Sequence, residues 1–144
     1  MNRPILIAAA ALSAAGLSAT PATAESGTML STQLQGANEV PGPGMTGATG
    51  QASVMVYPDR GYVCWSLDVQ NAGTPNGAHI HKATAGREGG VVVPLETPEG
   101  GMSQGCKKVD KALAADLATN PAGYYINVHN AEYPKGAVRG QLMP

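Results

Sequence analysis

The sequence predicts an all-β domain, a Greek-key antiparallel β-sandwich of about eight strands with one short helix. Two features of the residue order point there. Apolar residues recur at every second position in runs too short for a helix face, and Gly, Pro and Asn clusters separate those runs. Composition agrees, with 19 Gly and 11 Pro among 144 residues. With no Phe and a single Trp, the core must come from Val, Leu, Ile, Ala and a few Tyr.

Leu30, Thr32 and Leu34 alternate with polar neighbours and form the first expected strand. Residues 41–50 (PGPGMTGATG) are too rich in Gly and Pro for a regular element and read as a loop. Ala52, Val54 and Val56 share one face of a second strand, which Pro58-Asp59-Arg60-Gly61 turns back into a third carrying Val63, Trp65, Leu67 and Val69. After a turn over residues 71–77 come short strands at 78–82, 90–95 and 104–109. Asp110 is placed to cap the one helical stretch, residues 111–118, where Leu113 and Leu117 lie four apart; Asn120-Pro121 ends it. Strands at 124–130 and 137–142, joined by a turn at 133–136, complete the domain.

Residues 1–24 read as a secretory leader: Arg3 as the charged start, Ile5 to Leu17 as the apolar stretch, and Ala22-Thr23-Ala24 as the cleavage pattern. The apolar run is shorter than the roughly 20 residues that span a bilayer. The expected mature chain is a single domain, residues 25–144, delivered to the periplasm or secreted. Loss of Arg3 would leave eight basic against ten acidic residues. Neither sign forms a run, so a nucleic-acid partner is not expected, and neither is a membrane once the leader is cut. An oxidising destination favours a structural disulfide between Cys64 and Cys106, which have no C-x-x-C spacing.

The chain contains 3 histidines. His79 and His81 are two apart, so on a strand both imidazoles leave the same face, about 7 Å apart at Cα. Tyr124, Ile126 and Val128 form the apolar set of a later strand, which leaves Tyr125, Asn127 and His129 on its other face. All three imidazoles therefore turn away from the core, into solvent or a loop-covered pocket. Imidazole is the commonest protein ligand for copper and zinc, and by affinity order copper outcompetes zinc at an all-nitrogen site. His79, His81 and His129 are thus the candidate metal ligands, with Tyr125 and Asn127 placed to orient a ring. Met45 and Met102, both assigned to loops, are candidate soft ligands for Cu(I). The competing reading gives the histidines a structural or contact role without metal.

Gly77-Ala78-His79-Ile80-His81-Lys82 with Gly86 and Gly89-Gly90-Val91-Val92-Val93 resembles the central motif of the CHRD (chordin-type) domain. So do Tyr124-Tyr125-Ile126-Asn127-Val128-His129-Asn130, the run from Tyr133 to Leu142, and the opening Gly36-Ala37-Asn38-Glu39-Val40-Pro41. In order, these blocks bracket residues 30–142. The resemblance implies an extracellular β-rich module with no established general activity. The His-x-His strand also looks a little like the copper strand of Cu/Zn superoxide dismutase, but this chain has too few histidines for that enzyme's two-metal site.

Arg139, on the last strand, is expected to pair with Glu39 or Glu132 and lock a turn, and Asn38 and Glu39 to serve their loop. There is no Gly-x-Ser-x-Gly, no His-Glu-x-x-His, no phosphate-cradling Gly loop and no dinucleotide fingerprint, so no catalytic residue is named. The expected function is an exported binding module that holds copper, or less favourably zinc. The alternative is a metal-free adhesion module contacting an extracytoplasmic protein or glycan. A copper-dependent redox enzyme ranks third, since no substrate-activating group accompanies the histidines.

Overall fold

Alternation along the chain becomes pleat in the computed structural model, which describes residues 26–144. The strands are β1 (Thr28–Gln35), β2 (Thr49–Tyr57), β3 (Tyr62–Gln70), β4 (Pro75–Lys82), β5 (Gly90–Leu95), β6 (Met102–Lys108), β7 (Tyr124–Asn130) and β8 (Val138–Gln141). One α-helix, α1 (Lys111–Thr119), lies between β6 and β7. The all-β expectation holds, and element ends move by one to three residues. The loop expected at residues 41–50 gives its last two to β2, and Pro75 already belongs to β4.

The sandwich needs one refinement. All eight strands form a single antiparallel sheet, ordered β5-β4-β7-β8-β1-β2-β3-β6, rather than two separate sheets. The two halves meet where β8 runs beside β1, and that seam is thin: its ladder holds Gln35 opposite Arg139, with a separate bridge between Ser31 and Met143. Gly140 permits this approach, because a Cβ there would sit 2.3 Å from both the Gln33 carbonyl oxygen and the Thr32 hydroxyl. Steps from β3 to β4, from β5 to β6 and from β6 to β7 cross between halves, which keeps the Greek-key character.

Inner residues of both halves share one core. Leu30, Leu34, Val54, Val56, Val63 and Leu67 from one half meet Ile80, Val93, Ile126 and Val128 from the other. Each such side chain stabilises the fold by about 1.5–3 kcal/mol through apolar burial. Asp110 caps α1 by accepting from the Ala112 amide at 2.7 Å. The helix lays Ala114 and Leu117 on the core, and its Asp116 takes bonds from Lys82 Nζ at 2.8 Å and from the Tyr124 hydroxyl. Cys64 and Cys106 face each other across β3 and β6 and are bonded.

Candidate metal centre

β4 and β7 are neighbours, so the two histidine-bearing segments do converge. Their register sets His79 opposite Asn127, His81 opposite Tyr125, and His129 opposite Gly77. Gly77 supplies no side chain in this row; a Cβ there would stand 3.5 Å from His79 Cε1 and 3.7 Å from His129 Cδ2. The ring centroids lie 5.0 Å (His79–His129), 5.6 Å (His79–His81) and 6.2 Å (His81–His129) apart. One ring nitrogen from each histidine falls within 4.8 Å of the other two.

Hydrogen bonds at the far side of two rings fix which nitrogen carries the lone pair. His81 Nδ1 lies 2.9 Å from the Gly89 carbonyl oxygen and His129 Nδ1 lies 3.0 Å from that of Pro134. A carbonyl only accepts, so both Nδ1 atoms carry the proton and both Nε2 atoms are left as acceptors or ligands. His129 Nε2 is 3.1 Å from His79 Nδ1. His81 Nε2 is buried with no partner at all.

Burial pushes the His129 imidazole down to about 4, helped by the neighbouring His79 and His81 and opposed by its bond to Pro134. Burial also lowers His79, with His81 adding to the effect. Both rings are therefore neutral at pH 7, the form that ligates metal.

Tyr125 holds His81 from the side. The two rings stack at 4.8 Å with planes 9° apart, and the Gly89 amide donates to the Tyr125 hydroxyl at 3.2 Å. A single residue, Gly89, thus anchors both rings. On the other face of Tyr125 the Arg139 guanidinium sits 3.4 Å from the ring centroid. Arg139 therefore does not lock a turn through Glu132; it stacks on Tyr125 and donates from Nη2 to the Thr84 carbonyl at 3.2 Å. Asn127 donates to the Lys135 carbonyl at 3.2 Å, fixing the loop that carries Pro134 rather than an imidazole.

Neither methionine joins the cluster. Met45 packs on the core with its sulfur toward Asn130, and Met102 begins β6, in the other half, 66 % exposed. The roles of Gly89 and Pro134 at the rings escaped sequence reasoning because both act through main-chain atoms, although Gly89 itself is required where a Cβ would fall 2.1 Å from the Lys82 carbonyl oxygen.

Three nitrogens at these positions fit a metal with one adjustment. Bonds of about 2 Å put tetrahedral ligands roughly 3.3 Å apart, so the widest pair must close by side-chain rotation. The donor set is all imidazole, and an orphaned buried Nε2 is the atom an ion would satisfy.

An antiparallel β-domain with a histidine cluster beneath its loops is the class so defined. The family model of the CHRD domain matches residues 30–142, and the chain belongs to that family. No curated protein and no solved structure matches it.

Proposed function

We propose that this chain is an exported CHRD-domain binding module that holds one copper ion through His79, His81 and His129, zinc being the weaker fit. The buried, unpartnered Nε2 of His81 carries the reading, since burying a ring nitrogen without a partner costs about 1–3 kcal/mol unless something binds it. The three residues would offer His79 Nδ1, His81 Nε2 and His129 Nε2. His79 then moves its proton to Nε2 and gives up its bond to His129, with no change in net charge. Bound there, copper supplies a one-electron couple and an open coordination position. Gly89 and Pro134 hold two rings in the ligating tautomer, and Tyr125 keeps His81 from rotating.

Export is supported by the leader pattern in residues 1–24, which lie outside the described residues, and by a disulfide suited to an oxidising compartment. N-terminal sequencing of the exported protein tests it, with Glu25 expected first.

Copper titration of the purified protein, followed by EPR, tests the site. One equivalent with nitrogen hyperfine structure is expected, lost in His81→Ala and His129→Ala. The metal-free alternative draws on one observation: the His79–His129 contact satisfies two ring nitrogens without an ion. Under it, the protein takes up no stoichiometric copper, and its partners are an extracytoplasmic protein or glycan.

A further inference from the structure

A second polar site lies on the same outer face, around Glu39 and Arg139. Both are almost wholly buried, at 6 % and 2 % exposure. They line a cavity of about 470 Å³ together with Asn38, Ala85, Gly86 and Gln141. That volume is in the range of small-molecule pockets. Two buried opposite charges normally pair directly, because an uncompensated one is costly. Here no ion pair within 4.0 Å joins them. The Glu39 carboxyl is met by the Val40 backbone and the Asn127 side chain, but its Oε1 has no hydrogen-bond partner and is wedged against the backbone at Gly136, where a Cβ would fall 2.2 Å from it. The Arg139 guanidinium is held flat on Tyr125 and tied to Thr84 by one amino group. Packing therefore prevents either group from turning to the other, and the space between them must be filled by something polar.

What fills it has to answer both ends. A guanidinium fork is best met by a carboxylate. The free Oε1 of Glu39 needs an N–H or O–H donor. A plain anion would leave Oε1 of Glu39 unanswered and, when Glu39 is ionised, would be repelled by it. A plain cation would be repelled by Arg139.

We propose that this cavity binds a small carboxylate with a neighbouring hydrogen-bond donor, an α-amino acid or an α-hydroxy acid, the carboxylate on Arg139 and the donor on Glu39. The site is independent of the copper reading.

Calorimetry on the metal-free full chain, with a chelator present so that copper–ligand complexes do not confuse the heat, tests it. The probes are glycine, glycolate, acetate and methylamine. Binding of glycine or glycolate at one per chain is expected, with acetate weaker by roughly tenfold or more for want of the donor contact. Methylamine is not expected to bind. Glycine without glycolate assigns the amino-acid class, and the reverse assigns the hydroxy-acid class. Glu39→Gln weakens the preferred probe by roughly tenfold or more. Ala85→Trp, at an exposed rim position, blocks the mouth without touching the core and abolishes binding whether or not the Glu39 variant folds. If neither glycine nor glycolate binds in the millimolar range, or if Ala85→Trp leaves their affinity unchanged, the cavity holds water only and the proposal is wrong.

Discussion

β2 and β7 are strands of similar alternation with opposite surroundings. Exposure in β2 rises and falls residue by residue, whereas every residue of β7 except His129 is buried. The difference comes from what lies over the outer face. Over β1, β2 and β3 the outward residues are Ser31, Gln33, Gln51, Ser53 and Ser66, none of them buried. Over β4, β7 and β8 three loops close down. Residues 36–48 bring Glu39, residues 83–89 bring the Thr84 and Gly89 carbonyls, and residues 131–137 bring those of Pro134 and Lys135. A sheet face under loops is poorly solvated, so its polar groups must satisfy one another or a ligand. The histidines, Tyr125, Asn127, Arg139 and Glu39 all sit there, and the half that carries the disulfide has no comparable cluster among the described residues.

If the two halves divide the labour this way, damage to one should spare the other. Replacing both Cys64 and Cys106 by Ser removes a cross-link over a separation of 42 residues. Thermal melts should show a loss of about 4 kcal/mol on the chain-entropy model. Copper uptake by the folded fraction should not change; if it falls, the halves are not independent.

The next largest effect belongs to the loop-covered half. Copper at a hundredfold its dissociation constant should raise the unfolding free energy by about 2.7 kcal/mol. In His81→Ala that gain disappears, which calorimetric melts with and without metal measure directly.

Two opposed pH effects should also map to that half. His129 has its folded pKa depressed from 6.5 to about 4, so across that window the unfolded chain binds the extra proton and stability falls as pH drops. Burial raises the Glu39 carboxyl from 4.5 to about 7, with Arg139 opposing, so between those values the folded chain binds the extra proton and stability falls as pH rises. In metal-free protein the two partly cancel. His129→Gln should leave urea midpoints that decline from pH 4.5 to 7, and Glu39→Gln midpoints that decline from pH 6.5 to 4.

The smallest effect is the control. Ser53→Ala, on the open face of β2, should move stability by no more than about 0.5 kcal/mol and leave copper binding alone. A larger loss would mean that this face is covered too.

Period-two alternation located the strands with a core face, where a slip of one residue would invert it, whereas β6 buries no residue and was bounded only by the turns around it. The same pleat put His79, His81 and His129 out of phase with Ile80, Ile126 and Val128, so the cluster's members were legible. Which strands neighbour one another was not, since pairing of β4 with β7 depends on a crossover more than forty residues long. Nor was the loop cover. Gly89, Pro134 and Thr84 act through main-chain atoms that every residue possesses, and Glu39 is brought to Arg139 by a turn whose Pro and Gly content announces only irregular backbone.

The seam between β1 and β8 has a further consequence. Because Met143 bridges to Ser31, the beginning and end of the domain leave it side by side. A short Gly/Ser linker could close the polypeptide into a ring, and new ends cut at the exposed residues 59–60 would give a circular permutant with the histidine face intact. Fused to a surface or a second module by either end, the domain would hang from the same point.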